Sequence, residues 1–129
     1  MSYVGIVLLS HSHDLVKGLE VLLKQIQPDV PLAVAGGTET GEIGTDVFRI
    51  SKAIESVMNP NGVVILFDLG SALINAEMAI EMLEDNKNIR VADAPLVEGA
   101  YAAIIQSGCG SPIEEVLAAA ESAKGLHKL

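Results

Sequence analysis

Two runs of this sequence, Val4 to Leu9 and Val63 to Phe67, contain no polar side chain at any position. A strand with one solvated face alternates apolar and polar residues, so an unbroken run rich in Val, Ile and Leu requires burial on both faces. Strands of that kind belong to a parallel sheet covered by helices on both sides. The first strand is expected over Tyr3 to Leu9, ended by Ser10-His11-Ser12. Leu32 to Ala35, Val63 to Phe67 and Ile89 to Ala92 complete a set of four.

Between the strands, apolar residues recur at helical spacing. Leu15, Leu19, Leu22 and Ile26 predict a first helix over Asp14 to Gln27, with Asp14 as cap and Pro28 as stop. Val47, Ile50, Ile54 and Val57 predict a second, capped by Thr45 or Asp46 and ended near Asn59-Pro60-Asn61-Gly62. Leu73, Ala76, Ile80 and Leu83 predict a third, with Ser71 as cap; Pro95 to Gln106 and Ser111 to Ala123 predict two more, split by Ser107-Gly108-Cys109-Gly110. Gly36, Gly37, Gly41 and Gly44 interleave with Thr38, Thr40 and Thr45 in a loop that can turn tightly and expose backbone amides. Right-handed crossovers leave few topologies, of which 2-1-3-4 is the compact choice. The expectation is a single α/β domain spanning 1–129, a three-layer α/β/α unit around a central, mainly parallel sheet. Whether a short antiparallel strand completes that sheet is open.

Composition narrows the function. The 129 residues are 50% hydrophobic, enough for a core without staples, and 17 Asp plus Glu against 8 Lys plus Arg give a net charge of −9. That charge opposes binding to nucleic acid and to an anionic membrane surface. A lone cysteine, Cys109, excludes an intrachain disulfide and makes a reducing cytoplasmic setting the default. The apolar run Val4 to Leu9 is too short to span a bilayer and lacks the basic flank of a signal peptide.

In a doubly wound sheet of order 2-1-3-4, ligands sit beyond the carboxyl ends of the strands, where strands one and three diverge. His11 and Asp68 occupy those ends. A carboxylate that holds one ring N–H of a histidine leaves the other nitrogen bare as a nucleophile, and phosphoryl transfer then needs mainly positioning and charge stabilisation. Amides at the helix starts after Gly44-Thr45 and Gly70-Ser71, with the Thr45 and Ser71 hydroxyls, are the candidate phosphate ligands. The chain has no P-loop and no acidic cluster for Mg²⁺, so a nucleotide-binding kinase site is not visible and no metal is expected.

Each of these residues also has a plainer reading. His11 is a loop histidine that can bond the backbone, Asp68 can cap the third helix, and the Gly-Thr run can be a simple connection. His13 makes a His-x-His-Asp pattern but lacks a third metal ligand, and exposure or helix capping accounts for it. His127 lies in the tail, Cys109 reads as a small apolar filler, and Met58, Met78 and Met82 read as core or interface packing.

Ser10-His11-Ser12 after the first strand, Ile43-Gly44-Thr45-Asp46 after the second and Asp68-Leu69-Gly70-Ser71-Ala72-Leu73 after the third resemble the mannose-type EIIA family of the phosphoenolpyruvate-dependent phosphotransferase system. Within it the match is to the branch serving as the phosphotransferase subunit of bacterial dihydroxyacetone (glycerone) kinase. The resemblance covers nearly the whole chain. It implies a relay in which HPr phosphorylates a histidine, here His11, and the phosphoryl group passes to ADP bound on DhaL, acting with DhaK. It places the family's conserved carboxylate on Asp68, implies phosphorylation at Nε2 and a homodimer, and assigns ADP and Mg²⁺ to DhaL, leaving no cofactor on this chain. Since the sequence ends at Leu129, it further implies dependence on a separate HPr. Sugar-transporting members typically carry His-Gly after strand one and Gly-Gly followed by a proline-containing segment after strand three; Ser12 and Ser71-Ala72 stand there instead.

Four rival readings remain beside this one. A mannose-type EIIA of a sugar permease shares the fold and the histidine. A response-regulator receiver would phosphorylate Asp68, but needs an acidic pair after strand one, where only Asp14 stands, and a late lysine that 91–123 does not contain. A flavin module needs aromatic walls, and the four aromatics are Tyr3, Phe48, Phe67 and Tyr101. A scaffold would leave the convergence of His11, Asp68 and the Gly-Thr loop without a purpose.

Overall fold

The computed structural model describes residues 3–129, so Met1 and Ser2 of the expected 1–129 domain lie outside the described residues. The chain runs β1 (Gly5–Ser10), α1 (His13–Ile26), β2 (Leu32–Gly36), α2 (Val47–Val57), β3 (Val63–Phe67), α3 (Ala72–Glu81), β4 (Ile89–Val91), α4 (Leu96–Gly108) and α5 (Ile113–Ser122), closed by a 3-10 turn at Ala123–Gly125. The sheet order is β2-β1-β3-β4, as expected, and all described pairings are parallel.

Alternate side chains of the strands feed two cores, which is why no polar residue interrupts them. Ile6, Leu8, Val64 and Leu66 pack beneath α1, α4 and α5, against Val16, Leu23, Ala100, Ile104 and Val116. Val7, Leu9, Val63 and Ile65 pack on the opposite side against Ile50 and Ile54 of α2 and Ala72, Ala76 and Ala79 of α3.

Three local expectations are corrected. Helix α1 turns Val16, Leu19 and Leu23 to the core, while Leu15 and Leu22 are about half exposed, at 47% and 51%. The buried face is set by Gly36, where a Cβ would stand 2.5 Å from Val16 Cγ1 and 2.7 Å from the Ser12 carbonyl, so the end of β2 passes tight against the start of α1. The cap of α1 is Ser12 rather than Asp14: its backbone is extended and its hydroxyl accepts from the Leu15 amide at 3.2 Å. In α3 the fully buried line is Ala72, Ala76 and Ala79, shifted from the predicted stripe because small residues bring the helix close to the sheet.

Candidate active site

His11 follows β1 and Asp68 follows β3, and the register that sets Leu9 opposite Phe67 brings the two together at the carboxyl end of the sheet. The Asp68 amide extends the ladder by donating to the Leu9 carbonyl at 3.1 Å. Each carboxylate oxygen then receives two donors. Oδ2 accepts from the Ser10 hydroxyl at 2.8 Å and the His11 amide at 3.0 Å, and Oδ1 accepts from His11 Nδ1 at 3.0 Å and the Leu69 amide at 2.7 Å. Asp68 therefore does not cap α3, which begins four residues later at Ala72.

A carboxylate can only accept, so Nδ1 of His11 carries the ring proton and Nε2 of the neutral ring keeps its lone pair. Ser71 Oγ lies 2.8 Å from Nε2, and in that pair the hydroxyl donates. The ring is thus held at both nitrogens while its side chain remains 21% exposed. Ser71 stands at the N-cap position of α3, as expected, but with helical backbone angles and no side-chain capping bond; its hydroxyl goes to His11 instead.

Burial disfavours the charge on Asp68, but the hydrogen bonds from His11, Ser10 and Leu69 outweigh it and hold the carboxyl below its ordinary value. Charge-assisted bonds of this kind contribute about 1.5–3 kcal/mol each, enough in combination to offset partial desolvation. A carboxyl depressed in the folded state stabilises the fold fully above its unfolded value, about 3.9, and that contribution disappears as pH falls through the lower folded-state value. Asp68→Asn should accordingly flatten the acid limb of a plot of melting temperature against pH; an unchanged acid limb would mean that Asp68 is not held in its charged form.

The β2–α2 loop closes the other wall. Gly44, at φ 145, donates its amide to the His11 carbonyl at 2.9 Å. That amide anchors the backbone of His11 and is not free for a phosphate. Arg49 of α2 donates Nη2 to the Gly36 carbonyl at 3.2 Å, pinning the start of the same loop. The α2 start is also closed to anions, since the Asp46 carboxylate accepts from the Phe48 and Arg49 amides. The start of α3 differs: among the described residues no acceptor is present for the Gly70 and Ser71 amides. Thr45 Oγ1 accepts from Asn75 Nδ2 at 2.6 Å, tying the loop to the first turn of α3.

Hydrogen bonds thus link His11 to Asp68, to Ser71 and to the Gly44 amide, while Thr45 is tied to Asn75, one helical turn beyond Gly70 and Ser71. Ser10 and Asn75 join them without having been singled out in the sequence. A signal for Ser10 exists, because a hydroxyl ending an apolar strand is fully buried and must find a partner; its oxygen also accepts from the Ser12 amide at 3.0 Å. His13 stands exposed at the first position of α1, outside this network. Among the described residues no three His, Cys, Asp or Glu side chains are arranged to hold a metal ion, and no helix is long and apolar enough to cross a membrane. His13→Ala should leave phosphoryl uptake within about twofold of wild type, since no bond to His11 or Asp68 is lost; a larger fall in an intact-mass time course would bring His13 into the site. His127 is exposed. Cys109 caps the end of α4 and is exposed, so it does not fill the core. Met58 packs against the core, whereas Met78 and Met82 are exposed.

The EIIA-man family, described as the PTS system fructose IIA component, matches residues 5–117. The chain is 45% identical over 102 residues to the phosphoryl donor subunit DhaM of PEP-dependent dihydroxyacetone kinase 1 of Listeria innocua, covering 79% of this chain and 80% of that protein. It is 38% identical over 116 residues to the phosphotransferase subunit DhaM of Lactococcus lactis, covering 90% and 91%. Against the DhaM of Escherichia coli, 38% identity over 120 residues covers 88% of this chain but 25% of that longer protein. A crystal structure of a protein of unknown function, EF1359, superposes with a TM-score of 0.87 at 33% identity, over 100% of this chain and 99% of that one. A sigma-54 interaction domain protein from Enterococcus faecalis, at TM-score 0.72 and 14% identity, shares the fold. With the family match running from β1 into α5, this chain belongs to the EIIA-man family of the phosphotransferase system.

Proposed function

We propose that this chain is the phosphohistidine carrier of a phosphoenolpyruvate-dependent dihydroxyacetone kinase. His11 accepts a phosphoryl group from the phosphohistidine of HPr and passes it to ADP on DhaL, which acts with DhaK on dihydroxyacetone. The observation that carries this reading is the His11 ring held by Asp68 at Nδ1 and Ser71 at Nε2, which leaves Nε2 as a positioned lone pair near the surface. The DhaM names of the relatives support the choice of acceptor.

In the first transfer the P–N bond on HPr breaks as the bond from His11 Nε2 to phosphorus forms, and the electron pair returns to the HPr ring. His11 keeps its proton on Nδ1, so the phosphorylated ring becomes cationic and Asp68 opposes that charge. The Ser71 hydroxyl must leave Nε2 as the new bond forms, and it then donates to a phosphoryl oxygen. The Gly70 and Ser71 amides at the positive end of α3, with the Thr45 hydroxyl, supply further donors. In the second transfer a terminal phosphate oxygen of ADP attacks phosphorus, the Nε2–P bond breaks and the ring recovers its lone pair. The chain contributes no metal or nucleotide of its own to this scheme; ADP and Mg²⁺ reside on DhaL. It works in the cytoplasm as a homodimer through the exposed Ile74 and Met78 of α3 and Met82 at its C-cap, spaced four residues apart.

The alternative acceptor is a sugar permease component. Wild type loaded through phosphoenolpyruvate, enzyme I and HPr should lose its phosphoryl group on addition of DhaL–ADP–Mg²⁺, with ATP appearing on DhaL. A phosphoprotein stable to DhaL–ADP would remove the dihydroxyacetone reading and leave the sugar branch.

A further inference from the structure

Asn75 has no assigned part in this chemistry, yet it holds the shortest side-chain bond between the two walls of the crevice, 2.6 Å from Nδ2 to Thr45 Oγ1. It lies four residues after Ser71, on the same face of α3 that brings Ser71 to His11 Nε2. Thr45 is thereby tied to the helical turn that begins at Ser71, the residue bonded to Nε2. Because Thr45 Oγ1 already accepts from Asn75, its own proton is turned away from Asn75, and among the described residues no acceptor receives it. A half-buried hydroxyl fixed as a donor with nothing to donate to is suited to an anion that arrives during turnover.

Resting on the reading of His11 as phosphoryl acceptor, we propose that Asn75 is a positioning residue: its amide fixes the polarity of the Thr45 hydroxyl so that it donates to a phosphoryl oxygen on His11. Asn75 itself touches no phosphate. The polarity matters more than the contact. An aspartate at 75 would fit the same space, but it can only accept. It would draw the threonine proton to itself, turn the oxygen lone pairs towards the phosphoryl group and add a like charge beside it.

The test is single-turnover phosphoryl uptake followed by intact mass, with two donors. Phosphorylated HPr is one. Phosphoramidate is the other, its P–N bond breaking as the Nε2–P bond forms and ammonia leaving with a proton from solvent. Thr45→Val should slow uptake about tenfold with both donors, the loss expected for one hydrogen bond to a charged group, and Thr45→Ser should restore it. Asn75→Leu should slow it several-fold, and Asn75→Asp more than Asn75→Leu. The double variant Asn75→Leu, Thr45→Val should be no slower than Thr45→Val alone, because Asn75 acts through Thr45. An Asn75→Asp protein as fast as wild type would overturn the proposal, since residue 75 would then accept the threonine proton. Multiplying effects in the double variant would overturn it as well. If Asn75→Leu does not fold, the Thr45 pair and Asn75→Asp still decide. Wild type that takes no phosphoryl group from either donor would instead remove the His11 reading itself, whereas wild-type uptake matched by every variant would remove only the role of Asn75.

Discussion

His11→Ala should take up no detectable phosphoryl group from phosphorylated HPr, and its circular dichroism spectrum should match wild type. The side chain stands on the segment after β1 and is 21% exposed, so its removal opens no cavity in either core. It removes one of the donors to Asp68, but the Ser10 hydroxyl and the His11 and Leu69 amides remain, so the stability loss should be about 1.5–3 kcal/mol, that of one charge-assisted bond. No neighbouring group replaces the nucleophile. Ser71 has no base once the ring is gone, and His13 lies outside the network. Uptake by the alanine variant at a rate near wild type would place the phosphoryl group on another residue.

The second large effect is at Asp68. Asp68→Asn should slow phosphoryl uptake by about 10²-fold or more, in keeping with the loss seen when a carboxylate that orients a catalytic histidine becomes an amide. Two causes act together. The amide no longer opposes the positive charge that the ring acquires on phosphorylation, and an amide NH₂ facing Nδ1 would drive the ring proton to Nε2, where it blocks attack. The substitution also strands donors, because four bonds converge on two carboxylate oxygens and an asparagine offers one carbonyl oxygen. A stability loss therefore accompanies the kinetic one, at about 1–3 kcal/mol for each donor left unsatisfied. Rates are best compared well below the variant's melting temperature. Unchanged uptake kinetics would reduce Asp68 to a structural anchor for the β1 and β3 ends.

The sheet was legible because strands buried on both faces leave no room for polar residues, and chain handedness restricts how four such strands can be ordered. From that order alone, the ends of β1 and β3 meet, and with them His11 and Asp68. The faces of α1 were not legible. Apolar residues at 15, 16, 19, 21, 22, 23 and 26 form overlapping stripes, and the close approach of Gly36, a contact distant in sequence, selects the one through Val16 and Leu23. In α3 the pattern of large residues pointed away from the alanines that lie against the sheet, since tight helix–sheet packing favours small side chains. The polarity of the site was hidden for a related reason. Whether Gly44 gives its amide to a phosphate or to the His11 carbonyl depends on how the loop folds back, and Asn75 meets Thr45 only across thirty residues of chain.

The central claim is that the phosphoryl group resides on Nε2 of His11 while Asp68 keeps the proton on Nδ1. ¹⁵N-histidine labelling read by NMR, before and after loading through enzyme I and HPr, measures both nitrogens in one experiment. The account predicts a single phosphorylated ring, bonded to phosphorus at Nε2 with Nδ1 protonated, that is absent in His11→Ala. Phosphorus at Nδ1, or on His13 or His127, would contradict it.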